Sequence, residues 1–269
     1  MKPSEAGADA LGGCWRGVTR LVLQQASALL AALQFLTIFP PVVRRPFEAA
    51  EMGAAVGYFP LVGLGLGAVL AGLSWLLVQF LPASVGAVLV LAVWEILTGA
   101  IHLDGFLDSC DGLLGGCTVE HRLRILRDHN IGAYAMSGGV FLILTRYASL
   151  LAVTHVSLAL LLAPVCGRWA VGVAVWLFPY ARPEGLGRTF KDHATRAQAV
   201  LASAIALIAV WSLAGDTGLA ALFVSGVVGW ATGRFALARL PGLTGDVYGA
   251  ICELSETASL LLLASRWVQ

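Results

Sequence analysis

Charged residues are scarce in this sequence: Asp, Glu, Lys and Arg make up 12% of the 269 residues, against about a quarter in soluble domains. The few charges also balance, with 17 basic against 16 acidic side chains, so the basic surface of a nucleic-acid-binding protein is missing and no nucleic acid is expected as a partner. The low charge further excludes a disordered chain and a coiled coil. In place of charge the chain has 58% hydrophobic residues, which indicates an integral membrane protein in contact with the lipid bilayer.

Cysteine and phosphate-loop patterns are missing as well. The five cysteines are odd in number and scattered, and none forms a CxxC or Cys/His zinc spacing, which excludes a disulfide framework and a structural zinc. The pattern GxxxxGK[ST] does not occur. Residues 1–17 lack the apolar core of a signal peptide. We expect them to form a flexible cytoplasmic tail ahead of a single polytopic membrane domain over residues 18–269.

Long apolar stretches dominate the rest of the chain. Crossing about 30 Å of hydrocarbon takes roughly 20 residues of helix, and seven stretches meet this length, so we predict an all-α fold, a polytopic membrane helical bundle. Residues 21–39 are interrupted by glutamines and end at Pro40-Pro41; they predict an amphipathic helix at the interface, with a full span as the alternative. The seven predicted spans are residues 55–81, 84–101, 132–153, 157–178, 197–214, 218–237 and 249–267.

The connections between these spans alternate between two kinds. Three are very short and contain no Lys or Arg, namely residues 82–83, 154–156 and 215–217. The others are long and basic, and the positive-inside rule places them in the cytoplasm. Seven spans would then put the C-terminus outside. The long loops are residues 40–54, 102–131, 180–196 and 238–248.

Aspartates are concentrated in one of the long loops, which holds four of the chain's eight, including Asp128. Asp104, Asp108 and Asp111 are spaced by four and three residues, so they share one face of a helix that continues the span 84–101. Three such carboxylates repel one another unless a cation neutralises them, and oxygen ligands favour magnesium or calcium over zinc. We therefore expect a divalent metal site at the membrane surface rather than a solvated acidic loop. His102 is a candidate for catalysis or an interfacial residue.

A second acidic group consists of Asp246, Glu253 and Glu256 near the cytoplasmic end of the last span. A charge inside a span is costly and is a functional hypothesis by default. Glu95 is also embedded, and we expect it to be protonated or to be a buried partner of an arginine. Glu253 and Glu256 are expected to bind metal or to pair with one of three embedded arginines, Arg146, Arg168 and Arg234.

The segment from His102 to Gly112, His-Leu-Asp-Gly-Phe-Leu-Asp-Ser-Cys-Asp-Gly, resembles the His-Leu-Asp-Gly-x-x-Asp-x-x-Asp-Gly signature of the cobalamin synthase family, also named adenosylcobinamide-GDP ribazoletransferase. Further segments resemble motifs of the same family in the same order, so that the resemblance extends from about Phe35 to the end of the chain. These segments are Phe35-Leu-Thr-Ile-Phe-Pro40, Tyr58-Phe-Pro-Leu-Val-Gly63, Ile125-Leu-Arg-Asp-His-Asn-Ile-Gly132, Glu184-Gly-Leu-Gly187 and Thr244-Gly-Asp-Val-Tyr-Gly-Ala250, followed by Glu253 and Glu256. His129-Asn130 departs from the family pattern.

The resemblance implies a specific reaction, the last step of cobalamin nucleotide-loop assembly. Adenosylcobinamide-GDP would condense with alpha-ribazole, or its 5'-phosphate, to give adenosylcobalamin or its phosphate, with release of GMP. It further implies magnesium as the metal and a bacterial cytoplasmic (inner) membrane location, multi-pass. The basic loops place the active site on the side that faces the cytoplasm. The sequence leaves the oligomeric state open, and a homo-oligomer is one of the alternatives.

The resemblance also suggests roles for individual residues. Asp104, Asp108 and Asp111 would hold one or two magnesium ions against the diphosphate, with Asp104 also counted as catalytic. Asp128 would complete the metal site or take the proton from the attacking hydroxyl, and His102 is the other catalytic candidate. The expected substrate-binding residues are Arg127, Arg182, Glu184, Arg188, Lys191 and Asp246.

Two other classes of function fit the composition less well. A membrane phosphotransferase of the CDP-alcohol type requires Ala-Arg after its Asp-Gly, which this chain lacks. A secondary transporter should show repeated halves with ionisable groups at the bilayer midplane, and no such repeat is visible. The small-xxx-small pairs, such as Gly63 and Gly67, predict helix packing contacts.

Overall fold

The computed structural model describes residues 22–128 and 130–265, and these residues are helical apart from loops and one isolated β-bridge. The tail predicted for residues 1–17 and the end of the predicted span 249–267 lie outside the described residues. A short 3-10 turn, Val56–Tyr58, joins α2 to α3. The helices are α1 (Val22–Leu36), α2 (Ala49–Ala55), α3 (Phe59–Leu77), α4 (Ala83–Leu97), α5 (Ile101–Gly115), α6 (Val119–Ile125), α7 (Ala133–Ala152), α8 (Val156–Leu177), α9 (Leu186–His193), α10 (Arg196–Leu237) and α11 (Gly245–Leu263).

Helices occur at all seven predicted spans, which confirms the all-α polytopic fold. By length and hydropathy, four stretches of the described chain can cross a membrane: Ala49–Leu77, α7, α8 and α10. A fifth crossing results if α4 and α5 are counted together. Helix α10 covers two predicted spans and has a kink at Gly215, whose φ of 53° and ψ of −130° are not helical. Helix α1, at 15 residues, is shorter than the roughly 20 that a full span needs.

The aspartate-bearing helix does not continue the preceding span, contrary to the sequence-based prediction. Helices α4 and α5 meet at 91°. Gly99 and Ala100 between them have φ values of 61° and 53°, in the left-handed region that ends a right-handed helix. Asp104, Asp108 and Asp111 nevertheless all lie within α5, so their predicted sharing of one helix face holds.

Helix α8 lies at the centre of the bundle, with 78% of its most apolar stretch buried. Helix α3 packs closely against it because glycine stands at the contact. A Cβ on Gly63 would lie 2.4 Å from the backbone oxygen of Pro164, and one on Gly67 would lie 2.6 Å from that of Leu160. The predicted packing role of these two glycines is confirmed.

Two loops at the ends of α8 and α10 are tied together by the β-bridge between Tyr180 and Leu243. The Ala181 N–H donates to the Leu243 carbonyl at 2.7 Å, and the Leu243 N–H donates to the Pro179 carbonyl at 2.8 Å. This bridge fixes the loop that carries Arg182 beside the first turn of α11.

Candidate active site

One cavity of about 300 Å³ collects residues from most of the sequence segments singled out above. It lies beside the first turns of α5 and α11, and the loop 180–187 forms another part of its wall. The remaining lining is mainly apolar and aromatic. Five of the predicted site residues line it: His102, Asp104, Arg182, Glu184 and Asp246.

The first turns of α5 and α11 approach each other closely through two glycines. A Cβ on Gly105 would lie 2.9 Å from the backbone oxygen of Asp246, and one on Gly249 would lie 2.7 Å from the backbone oxygen of His102. Any larger residue would push the helices apart. These glycines therefore set the separation between the His102 and Asp104 side of the cavity and its Asp246 side.

Asp246 is held by a salt bridge and a hydroxyl. Arg182 Nη2 donates to Asp246 Oδ2 at 2.7 Å and to the Leu126 carbonyl at 3.0 Å. The Thr244 hydroxyl donates to the same carboxylate oxygen at 3.0 Å and caps the start of α11. Tyr180 lies in the same loop as Arg182, and burial raises the pKa of its phenol. Arg182 is thus positioned from two sides, by α11 and by the segment that follows α6.

Arg182 also lines a second, more open groove of about 560 Å³. Arg124, Arg127 and Asp128 line the groove with it. Three guanidinium groups on one concave surface suit phosphate oxygens, which arginine binds in a bidentate way. Asp128 accepts hydrogen bonds from the backbone N–H and the side-chain amide of Asn130 at 3.1 and 2.6 Å. The structure therefore places Arg127 and Asp128 in a basic groove that shares Arg182 with the cavity.

The three aspartates of α5 have different surroundings. Asp111 accepts hydrogen bonds from the backbone N–H groups of Gly132 and Ala135 at 2.6 and 3.0 Å, and so caps the start of α7. Asp108 lies close enough to Asp104 and Asp246 to interact with both electrostatically. Within the described ranges, no group of three or more His, Cys, Asp or Glu side chains has the geometry of a metal site.

The carboxylates that have no capping role still suit magnesium. This ion is usually held by one or two carboxylates together with water and substrate phosphates, rather than by a cage of protein ligands. Asp104 and Asp108 can supply two carboxylates on one face of α5, and Asp246 lies nearby. Asp111 is already occupied in capping α7.

Arg188 and Lys191, expected to bind phosphate, lie on α9 and line neither the cavity nor the basic groove. Arg188 Nε is 2.7 Å from Asp192 Oδ2. Lys191 Nζ donates to the Trp176 carbonyl at 2.8 Å, and burial lowers the pKa of the lysine. In this structure the two cations hold α9 together and attach it to the end of α8.

Glu253 and Glu256 pair with arginines inside the bundle, which was one of the two roles expected for them. Arg146 Nη2 lies 2.8 Å from a carboxylate oxygen of each glutamate, and its Nη1 lies 3.4 Å from Glu95 Oε1. Arg168 also pairs with Glu256. Glu95 is therefore an arginine partner, one of the two roles expected for it, although it is only partly buried. Arg234 is exposed.

The sequence-based reasoning missed the aromatic part of the cavity and one arginine of the groove. Phe35, Phe59 and Tyr248 occur in the motif segments quoted above but had no assigned role, and all three line the cavity. Phe190 and Arg124 lie outside those segments. Only the tertiary contacts of α9 and α6 bring them to the site.

Together, the fold and this site define a multi-pass helical membrane protein with a largely apolar and aromatic cavity that holds a few carboxylates and an arginine and adjoins a basic groove. Residues 28–264 match the family model described as cobalamin-5-phosphate synthase, and the chain belongs to that family. This assignment confirms the resemblance seen in the sequence.

Curated relatives agree with the family assignment, and each is named adenosylcobinamide-GDP ribazoletransferase. The relative from Pseudomonas savastanoi pv. phaseolicola is 41% identical over 239 residues, which cover 87% of this chain and 97% of the relative. The relative from Roseiflexus sp. is 36% identical, covering 86% and 87%, and that from Stutzerimonas stutzeri is 40% identical, covering 88% and 97%. No solved structure matches the chain.

Proposed function

We propose that this protein joins adenosylcobinamide-GDP to alpha-ribazole, or to its 5'-phosphate, and releases GMP. The proposal includes dependence on magnesium, a location in the bacterial inner membrane and an active site that faces the cytoplasm. One observation carries it beyond family membership: residues of the His102, Glu184 and Thr244 segments, distant in sequence, converge on one cavity, and Arg182 connects that cavity to a basic groove.

The reaction is a displacement at phosphorus. A ribose hydroxyl of alpha-ribazole forms a new bond to the phosphorus that carries the cobinamide arm, the bond from this phosphorus to the bridging oxygen breaks, and GMP departs with that oxygen. Catalysis of such a transfer consists mainly of positioning and of stabilising charge on the phosphate oxygens. Arg182 can contribute to both positioning and charge stabilisation, because it lines both the cavity and the basic groove.

The carboxylates and His102 have distinct proposed roles. Asp104 and Asp108 hold magnesium, which when bound would neutralise charge on the diphosphate. Arg124, Arg127 and Arg182 bind the diphosphate of the donor, including the phosphate that leaves with GMP. His102 lines the cavity with its Nδ1 buried and without a hydrogen-bond partner among the described residues, so it is placed to take the proton of the attacking hydroxyl. Asp128 lines the groove and accepts hydrogen bonds from Asn130.

The test is product formation by the full chain, purified in detergent and supplied with adenosylcobinamide-GDP, alpha-ribazole and magnesium. GMP and adenosylcobalamin are followed by chromatography. We expect both products, their loss in a chelator and their recovery on adding magnesium. No product from the wild-type protein, in the presence of magnesium, would refute the proposed function.

Asp104→Asn tests the metal site separately. We expect kcat/KM to fall by about 100-fold or more, since even outer-shell partners of a metal can cost that much. Asp216→Asn is the matched control, because Asp216 is an exposed aspartate on α10, outside the cavity and the groove; it should keep its activity within about twofold. A fully active Asp104→Asn variant would refute the metal site and leave the reaction standing.

A further inference from the structure

Aromatic rings form a large part of the cavity wall. The rings of Phe35 and Phe190 have centroids 4.7 Å apart, and those of Phe59 and Phe190 are 5.7 Å apart in a T-shaped arrangement. Tyr180 and Tyr248 are stacked at 6.0 Å. All five residues line the same cavity. Such a wall suits a flat aromatic ligand, which can stack on or meet the edges of these rings.

Three polar atoms of residues in the wall are buried without a hydrogen-bond partner among the described residues: His102 Nδ1, Arg182 Nε and Tyr248 Oη. His102 and Tyr248 are each only 6% exposed. More than about 90% of buried polar groups have a partner, so these three atoms are available to polar groups of a ligand. A heterocycle attached to a ribose offers both a ring nitrogen and hydroxyls.

The two concave surfaces differ in size and charge, so they suit different ligands. At about 300 Å³ the cavity is at the lower limit for small-molecule sites, so it has room for a two-ring base with its sugar and none for a corrin macrocycle. The adjoining groove is lined by Arg124, Arg127 and Arg182. These three arginines outnumber the two carboxylates of the groove, Glu120 and Asp128, so its surface is net cationic and suits the diphosphate of a nucleotide. None of its lining residues is aromatic.

We infer that the aromatic cavity, lined by Phe35, Phe59, Phe190, Tyr180 and Tyr248, binds the benzimidazole base of the acceptor alpha-ribazole, and that the basic groove binds the guanosine diphosphate part of the donor. This inference rests on the proposed function and assigns the two substrates to the two surfaces. The base stacks against Phe190, its free ring nitrogen accepts a hydrogen bond from Tyr248, and its ribose extends toward His102 and Asp104. The corrin ring of the donor stays outside the cavity.

Phe190→Leu and Phe178→Leu form a matched pair for the test. Both phenylalanines are buried, at 3% and 4% exposure, and belong to the same hydrophobic core, but only Phe190 lines the cavity. With the full chain in detergent, KM is measured for each substrate at saturation of the other, and binding of alpha-ribazole alone is measured by equilibrium dialysis. Since stacking of a base on an aromatic ring is worth roughly 5- to 100-fold in binding, Phe190→Leu should weaken alpha-ribazole about 5- to 30-fold in both measurements. The KM of Phe190→Leu for adenosylcobinamide-GDP should stay within twofold of the wild type. The KM values of Phe178→Leu for both substrates should also stay within twofold.

Tyr248→Phe provides a second variant that keeps the ring and its packing. It should also raise the KM for alpha-ribazole and leave that for the donor unchanged. A rise in the donor KM alone, or an equal rise in both, would place the donor in the cavity and overturn the inference. Unchanged alpha-ribazole constants in both Phe190→Leu and Tyr248→Phe would also overturn it. Failure of the proposed function would appear differently, as a wild-type protein that forms no GMP.

Discussion

Arg146 shows how a charge can be accommodated inside the bundle. Its residue exposure is 1%, and each of its nitrogens has a partner. Nε donates to the Thr257 hydroxyl at 2.9 Å, Nη1 lies 3.4 Å from Glu95, and Nη2 contacts Glu253 and Glu256. A buried guanidinium is tolerated only when its charge and hydrogen bonds are satisfied in this way. The cluster joins α4, α7 and α11.

Removing the guanidinium should therefore destabilise the protein strongly. Arg146→Met keeps a similar length but leaves Glu253 without its counter-charge and Glu256 with Arg168 alone; breaking comparable buried pairs costs about 3–5 kcal/mol. We expect the midpoint of thermal unfolding in detergent to fall by roughly 10 °C. Arg234→Met, at an exposed position of α10, should unfold within about 2 °C of the wild type. Equal midpoints for Arg146→Met and the wild type would show that the cluster contributes nothing to stability.

At the scale of the helices, local sequence patterns predicted where the helices lie but not which contacts join them. Apolar length predicted a helix at each of the seven places where one is found, although only four or five stretches of the described chain are long and apolar enough to cross a membrane. The spacing of Asp104, Asp108 and Asp111 predicted one shared helix face, which α5 provides. The spacing could not show that Asp111 caps α7, because its partners lie 21 and 24 residues away. For Arg188, the charge of its loop indicated the cytoplasmic side of the membrane. It could not show whether the side chain reaches the cavity or the groove.

Local sequence patterns also could not predict the bend before α5. Gly99 is compatible with both a helix and a left-handed turn, and Ala100 favours a helix. The neighbouring chain instead contributes to the bend, since the Ile38 N–H donates to the Leu97 carbonyl at 2.8 Å at the end of α4. Tertiary contacts here outweigh the helix propensity of Ala100, and as a result the metal-binding candidates lie on a helix turned away from α4.

The contact between α3 and α8 gives a prediction at the same scale. In Gly63→Ala the new methyl group would lie 2.4 Å from the backbone oxygen of Pro164, which cannot move aside as a flexible side chain could. We expect a loss of about 1–3 kcal/mol from overpacking. Gly65→Ala is the control, because nothing lies within 4 Å of its new Cβ, and it should be neutral or stabilising by about 0.5–1 kcal/mol. Thermal unfolding in detergent compares the two, and equal midpoints would contradict the close packing of α3 on α8.

Across the whole molecule, the cavity and the groove are built from the ends of helices that meet the long, basic loops. The C-terminal end of α8, the N-terminal ends of α5 and α11, and the segments around α6 and α9 all contribute to them. The turns after α3 and α7 lie at the other ends of their helices and contain no Lys or Arg. If the positive-inside rule applies, the site faces the cytoplasm, where both proposed substrates would be supplied.

Cysteine labelling tests this orientation. In a background whose five cysteines are replaced by serine or alanine, and which must first be shown to retain activity, single cysteines are placed at Glu120 and His155, both exposed in the structure. A membrane-impermeant maleimide should label His155→Cys in intact spheroplasts, because it lies in the short turn between α7 and α8. Glu120→Cys, on α6 in the basic loop, should be labelled only in inverted membrane vesicles. Labelling of Glu120→Cys from outside would place the active site in the periplasm and reverse the topology. Labelling of both positions from the same side would show that α7 does not cross the bilayer.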